Sequence, residues 1–146
     1  MIKDRNKQTH VTWECKYHVI IMPKYRKKVL YGTVRKRVGE MLRTLAQQKG
    51  VEIIEGHLCS DHIHIAMSIP PKYSVAMIIG FLKGKSAIML NREYSKGKKN
   101  YYGKHFWARG YFVSTIGKDE EEVKKYIRNQ MKIEKSIDDN KLDLKW

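Results

Sequence analysis

The sequence predicts an α+β domain in which four strands and two helices follow one another in the order strand, helix, strand, strand, helix, strand. Three observations support this prediction. A length of 146 residues suits one hydrophobic core. Short runs rich in β-branched and aromatic residues end at proline or glycine, and two longer segments repeat apolar residues at three- and four-residue spacing. This order is typical of the ferredoxin-like (split βαβ) arrangement, a four-stranded antiparallel sheet with two helices on one face.

The first half of the chain supplies the first three strands and the first helix. Residues 12–22 are rich in β-formers and end at a proline, so they predict the first strand. Residues 33–49 predict an amphipathic helix that a glycine stops. Residues 51–58 and 62–69 predict two strands joined as a hairpin by the short link 59–61.

The second half supplies the second helix and the fourth strand. Ser74 offers an N-cap to a helix over residues 75–91, which Gly84 is expected to interrupt. Residues 106–116 predict the fourth strand, and Gly117 ends it.

A third helix follows the completed four-stranded unit. Residues 119–122 are all acidic and would occupy the first turn, where the helix macrodipole favours negative charge. We expect one domain over residues 1–146, with a core of about 11–117 and a C-terminal helix at about 118–136. The second face of the sheet is expected to be open, and the last helix can dock on its own subunit or on another.

The charge distribution points to a polyanionic partner. The chain has 30 Lys and Arg against 15 Asp and Glu, a net charge of +15. Basic and acidic residues balance from residue 118 onward, so residues 1–117 carry the whole excess. Nucleic acid is the commonest partner of so basic a protein, and an open sheet face is a familiar platform for it. The alternative is a basic protein that is merely soluble.

Location follows from cysteine content and hydropathy. Two cysteines do not make a disulfide framework, and no apolar targeting segment opens the chain. No apolar run approaches the ~20 residues that span a bilayer. We expect a reduced, cytoplasmic protein without a membrane partner.

Two clusters of cations are candidates for contact with nucleic acid. The first surrounds a tyrosine directly after the first strand, where phosphates can be clasped while the ring stacks on a base. The second flanks Gly84, where the backbone could closely approach a phosphate; a packing glycine is the other interpretation. The candidate residues are Lys24, Tyr25, Arg26, Lys27, Lys28, Lys83 and Lys85.

The histidine pair His62 and His64 is a candidate metal site. Alternate side chains of a strand share one face, so the two imidazoles would stand side by side and could tilt toward one ion. Asp61 would point away from this face, as a turn residue or as a residue that orients a histidine. The pair could instead be two hydrogen-bonded histidines on a sheet face, or could join His57 and Cys59 in a structural zinc site.

Tyr126 and Gln130 are four residues apart in the third helix and therefore share a face, beside its apolar stripe. Packing is the ordinary role of a tyrosine in this position.

Together these features resemble the single-tyrosine HUH transposases of the insertion-sequence 200/605 family. A histidine-hydrophobic-histidine strand is followed by a helix with tyrosine and then glutamine four residues later, in a small basic chain. Four segments, one of which contains the histidine pair, look like family segments in family order, and the resemblance covers about residues 13–130. They are Met-Pro-Lys-Tyr-Arg at 22–26, Ser-Asp-His-Ile-His at 60–64, Phe-Leu-Lys-Gly-Lys-Ser-Ala at 81–87 and Phe-Trp-Ala-Arg-Gly-Tyr-Phe-Val-Ser-Thr-Ile-Gly at 106–117.

The resemblance implies a specific site and reaction. His62, His64 and Gln130 would hold a divalent ion, for which we favour Mg²⁺ or Mn²⁺, and Tyr126 would be the nucleophile. The protein would be a homodimer whose tyrosine helix can serve the other subunit, with Gly117 and Lys118 as the hinge. It would cleave and rejoin single-stranded DNA, recognised by hairpins at the element ends, through a 5′-phosphotyrosine and without ATP.

Two other functions remain open at this point. A ferredoxin-like sheet could bind nucleic acid without catalysis, or a domesticated relative could nick DNA hairpins without moving an element.

Overall fold

The computed structural model describes residues 6–8, 11–13, 15–94, 106–117 and 120–139. The strands are β1 (Asn6–Gln8), β2 (Val11–Trp13), β3 (Lys16–Ile21), β4 (Glu52–Leu58), β5 (Ile63–Ser68) and β6 (Phe112–Thr115). The α-helices are α1 (Gly32–Gln48), α2 (Val75–Tyr94) and α3 (Glu120–Asp139), and a 3₁₀ turn covers Lys24–Arg26. None of the helices in these residues is long and apolar enough to cross a membrane.

The main sheet confirms the predicted ferredoxin-like arrangement. It has four antiparallel strands in the order β4-β5-β3-β6, so the first predicted strand lies between the third and the fourth. β1 and β2 form a separate two-stranded sheet. The single strand predicted over residues 12–22 is therefore two strands, β2 and β3, which belong to different sheets.

The core lies between the main sheet and helices α1 and α2. Alternate residues of β3 and β5 point into it, and the helix positions predicted from apolar spacing meet them there. The residues of this core include Val19, Ile21, Ile63, Ile65 and Met67 from the sheet and Val38, Met41, Leu42, Leu45, Ile78, Leu82 and Leu90 from the helices.

Helix α2 runs without a break through Gly84, so the predicted interruption is wrong. The Ser74 hydroxyl accepts the N–H of Met77 (3.0 Å), which confirms the predicted N-cap. Past the glycine, the buried Ser86 hydroxyl donates to the carbonyl of Leu82 (2.6 Å) and accepts the indole N–H of Trp107 (2.9 Å). Tertiary contacts thus outweigh the weak helix propensity of one glycine, a cost of about 1 kcal/mol.

The fourth strand is shorter than the predicted segment 106–116. Only residues 112–115 form β6, while an isolated bridge joins Trp107 to Pro23. Between them the Lys83 ammonium donates to the carbonyls of Ala108 (2.6 Å) and Gly110 (3.0 Å), and Gly110 has a φ of +75°. The hydrogen-bond ladder between β3 and the fourth strand is interrupted where these carbonyls bond to Lys83. Burial lowers the pKa of the Lys83 ammonium.

Helix α3 covers the face of the sheet opposite α1 and α2, so the expected open face is wrong for this chain. Ile127 is fully buried against Ile54 of β4 and Ala66 of β5. Arg128, the next residue of the helix, donates from Nε to Oε2 of Glu55 (3.0 Å). A β-bulge in β4 lets Ile54 and Glu55 both meet the helix.

We expect Ile127→Ala to release α3 while the rest of the fold persists. The substitution removes a buried side chain that packs α3 on the sheet, a change that typically costs about 2–5 kcal/mol. Hydrogen exchange should then speed up in residues 120–139 and stay unchanged in β3 and β5. Ile88→Ala, at a half-exposed isoleucine of α2, is the matched control and should change neither. Uniform acceleration across the chain would contradict the prediction.

Candidate active site

Three buried histidines lie together on the sheet face that α3 covers. His18 belongs to β3, His64 to β5, and His62 directly precedes β5; each is at most 2% exposed. The ring centroids of His62 and His64 are 5.0 Å apart with an interplanar angle of 78°, so the pair lies side by side as alternation predicts. His18 was not among the predicted site residues, and its Nε2 lies 2.9 Å from Nδ1 of His64.

Asp61 and Arg26 lie behind His62. One carboxylate oxygen of Asp61 is 2.7 Å from Nδ1 of His62, and the other is 2.9 Å from Nε of Arg26. Because a carboxylate only accepts, the histidine nitrogen is the donor. Of the two roles considered for Asp61, the geometry supports that of a residue orienting a histidine. Arg26, predicted to contact DNA, is ion-paired to this carboxylate.

The turn that bears Arg26 has an unusual backbone. Tyr25 and Arg26 have φ values of 61° and 50°, in the left-handed region that costs a non-glycine residue of order 1–3 kcal/mol. The turn sends Arg26 to Asp61 and leaves the Tyr25 ring 79% exposed. The ammonium groups of Lys24 and Lys27 lie 5.4 and 6.0 Å from the centroid of that ring. An exposed aromatic ring beside two cations is an arrangement that suits base stacking together with phosphate contact.

Tyr126 lies over the histidine cluster. Its ring is half-buried and packs against the contact between α3 and the sheet. The ring centroid is 5.3 Å from that of His18 at 85°, an edge-to-face contact. His18 in turn contacts His64, so the predicted nucleophile and the predicted metal pair share one sheet face within a single chain. Gln130 is half-buried one turn later on the helix, and its place among the ligands stays a prediction.

The histidine pair fits a divalent ion as a partial ligand set. Two adjacent imidazoles with fixed rings offer two nitrogen donors, and a third donor and the substrate would fill other positions. Within the described ranges, no group of three His, Cys, Asp or Glu residues is arranged to hold a metal. The alternative zinc site of His57, Cys59, His62 and His64 is therefore not supported. His57 lies opposite His64 on β4, and its Nε2 is 3.6 Å from Glu55.

The lysines predicted to contact nucleic acid differ in how exposed their side chains are. Lys27, Lys28 and Lys85 are exposed and Lys24 is half-buried. Lys83 instead holds the segment before β6, as described above. Exposed Arg35, Lys36 and Arg43 of α1 extend the positive charge along a second side of the domain.

Comparison with known proteins places the fold and the sequence in one family. The family model described as "Transposase IS200 like" matches residues 11–130. The transposase for insertion sequence element IS200 of Salmonella typhimurium is 43% identical over 132 residues, 90% of this chain and 87% of that protein. The ISDra2 transposase TnpA of Deinococcus radiodurans is 31% identical over 119 residues, 81% and 85% of the two chains.

Solved structures agree. A putative transposase from Deinococcus radiodurans matches with a TM-score of 0.69 and 27% identity, over 86% of this chain and 97% of that one. A REP-associated tyrosine transposase bound to a REP hairpin matches with a TM-score of 0.55 over 80% of this chain and 64% of that one; at 10% identity it supports the fold alone. The resemblance drawn from the four segments is confirmed: this chain belongs to the IS200-like transposase family.

Proposed function

We propose that this protein cleaves and rejoins single-stranded DNA at the ends of an insertion sequence through a 5′-phosphotyrosine intermediate. The observation that supports it is the position of Tyr126, whose phenol ring lies edge-on to His18 beside the buried pair His62 and His64. The ordinary pKa of a phenol is ~10, so a tyrosine becomes an effective nucleophile only when the negative charge of its phenolate is stabilised. Family membership supports the same assignment.

His62 and His64 would hold a divalent ion, Mg²⁺ or Mn²⁺, with Gln130 as the third protein ligand. When bound, such an ion polarises the scissile phosphate and stabilises charge on the leaving oxygen. The protein's own contribution is to fix the two imidazoles on a rigid strand and to hold the tyrosine above the same face.

In the proposed step, the Tyr126 oxygen attacks phosphorus, having lost its proton to solvent. A tyrosine oxygen–phosphorus bond forms and the bond from phosphorus to the 3′ oxygen breaks. The products are a 5′-phosphotyrosine and a 3′ oxygen that takes up a proton. Because the phosphodiester energy is kept in the tyrosine ester, attack by another 3′-OH reseals DNA without ATP.

The tyrosine helix can act on its own subunit or on the partner of a homodimer. In this chain α3 covers its own sheet, and Gly117 lies exposed before the helix. Lys118, the other proposed hinge residue, lies outside the described residues. Mixing two inactive variants, Tyr126→Phe and His64→Ala, distinguishes the modes: recovered cleavage shows action between subunits.

Single-strand binding is proposed to use the turn around Tyr25 and the exposed lysines near it. We expect the triple change Lys24→Ala, Lys27→Ala and Lys28→Ala to weaken binding and to reduce the slope of log affinity against log salt by about 2, because three phosphate contacts at about 0.7 each are lost. Fluorescence anisotropy at several salt concentrations measures this. Arg26 is left unchanged because it is paired with Asp61.

The matched control for this triple variant removes three exposed lysines elsewhere, Lys72, Lys125 and Lys132. It should leave the salt slope closer to that of the unchanged protein. Equal slopes for the two triple variants would exclude the turn from the DNA contact surface.

The proposed function is tested by incubating the protein with Mg²⁺ or Mn²⁺ and labelled single-stranded DNA from the flanks of its own gene. A denaturing gel should show a metal-dependent covalent protein–DNA band and a cleaved strand with a free 3′-OH. Binding with no covalent product on several such substrates would favour the non-catalytic alternative. Covalent nicking with no rejoining would favour the domesticated relative.

A further inference from the structure

We infer that Asp61, held by Arg26, and His18 are positioning residues that fix His62 and His64 as Nδ1–H tautomers, so that both rings present Nε2 to one ion. This inference rests on the proposed function, since it takes the two histidines as metal ligands. It adds Asp61, Arg26 and His18 to the site, and none of these three residues lies in β5, the strand that bears His64.

The Asp61 contact determines the tautomer of His62. The two atoms are 2.7 Å apart, and the carboxylate has no proton to give, so Nδ1 of His62 bears the hydrogen. In a neutral imidazole the lone pair is then on Nε2. His62 is buried, and the 2.9 Å ion pair to Arg26 holds the carboxylate from the other side.

The inference assigns the His18 contact the same role at His64, with Nδ1 of His64 as the donor and Nε2 of His18 as the acceptor. The planes of these two rings differ by only 17° and their centroids are 5.1 Å apart, while Nε2 of His18 and Nδ1 of His64 are 2.9 Å apart. Rings with nitrogens so close and centroids so far apart meet edge to edge, so the bond lies near both ring planes. If His64 donates from Nδ1, its lone pair is on Nε2, as in His62.

The coincidence of the two Nδ1 contacts is the main support for the inference. In both histidines the bonded nitrogen is the same atom, although the partners come from different parts of the chain: the 59–61 link for His62 and β3 for His64. The rings themselves are adjacent. With Nδ1 as the donor in both rings, both Nε2 atoms would keep a lone pair for a shared ion, whereas a mixed pair would present one lone pair and one N–H.

The strained turn is consistent with this role. The left-handed conformations of Tyr25 and Arg26 are unfavourable, and one product of that geometry is the contact of Arg26 with Asp61. Arg26 would therefore act through Asp61, and we expect a smaller effect from its loss than from the loss of Asp61.

The first test measures tautomers directly in the metal-free protein. Nitrogen NMR of histidine-labelled protein should show His62 and His64 with the proton on Nδ1. The variants Asp61→Ala and His18→Leu should each release one ring into a mixture of tautomers. Asp61→Asn and His18→Gln keep an acceptor near the same place and should restore the Nδ1–H form. An Nε2–H form of either histidine in the unchanged protein would overturn the inference.

The second test measures Mn²⁺ affinity by titration followed by electron paramagnetic resonance. Asp61→Ala and His18→Leu should each bind Mn²⁺ about 10–100-fold more weakly, and Asp61→Asn and His18→Gln should recover most of this loss. Thermal unfolding of each variant checks that the fold is kept. Unchanged Mn²⁺ affinity in folded Asp61→Ala and His18→Leu would overturn the positioning role.

Failure of the proposed function has a different signature. If His62→Ala and His64→Ala bind Mn²⁺ as well as the unchanged protein does, the metal site itself is wrong. The Nδ1–H tautomers in the metal-free protein would in that case support the hydrogen-bond assignment alone.

Discussion

Tyr126→Phe is expected to abolish the covalent protein–DNA product and to lower cleavage by roughly 10³-fold or more, because the only atom removed is the proposed nucleophile. The fold should persist, since the ring that packs against His18 and beside Ile127 is retained. Single-strand affinity should change little because the positive charge is spread over residues 1–117. The measurement is a denaturing gel with labelled single-stranded DNA in Mn²⁺, beside an anisotropy titration without metal.

The control is Tyr31→Phe, the same chemical change at a half-exposed tyrosine that directly precedes α1, on no part of the histidine face. It should retain full cleavage. A covalent band of normal intensity in Tyr126→Phe would assign the nucleophile to another residue and would remove the main support for the proposed reaction.

His62→Ala is expected to lower cleavage by at least about 10²-fold while DNA binding persists. The substitution removes one of the two imidazoles proposed as metal donors, so the proposed ion would lose both affinity and position. Cleavage should recover partly at high Mn²⁺ concentration if the remaining ligands still bind the ion. Gel assays over a range of Mn²⁺ concentration, with DNA affinity measured separately, give the two quantities.

His57→Ala is the matched control, because it removes another imidazole directly across the β4–β5 pair from His64. It should leave the Mn²⁺ dependence of cleavage as it is. If His62→Ala lost DNA binding and cleavage together with its fold intact, the metal site and the DNA contact surface could not be separate as proposed.

The ferredoxin-like fold could be predicted because its signals are local. Apolar spacing marked α1 and α2, and proline or glycine marked where the strands end. The errors arose where a distant contact decides the backbone. Helix α2 passes Gly84 because Ser86 binds Trp107, and the fourth strand is short because Lys83 binds two carbonyls of the segment before it.

The site could be predicted in part for the same reason. His62 and His64 are two residues apart in sequence, so their shared face follows from strand geometry alone. His18 was missed because its place beside His64 depends on the register of β3 on β5, over 46 residues of sequence separation. The available signal was a histidine within the first predicted strand. A histidine that merely packs in the core would give the same signal.

The bulge in β4 has a consequence for how chain length can vary in this protein. Two neighbouring residues of β4 meet α3, one through an apolar contact and one through an ion pair, only because the ladder holds one extra residue at that point. Deleting Ile54 would restore a regular ladder and keep the hairpin, yet it would leave α3 with one anchor instead of two. In a scan of single-residue deletions we expect the protein without Ile54 to fold and stay soluble. Because its tyrosine helix would be displaced, it should no longer join DNA strands.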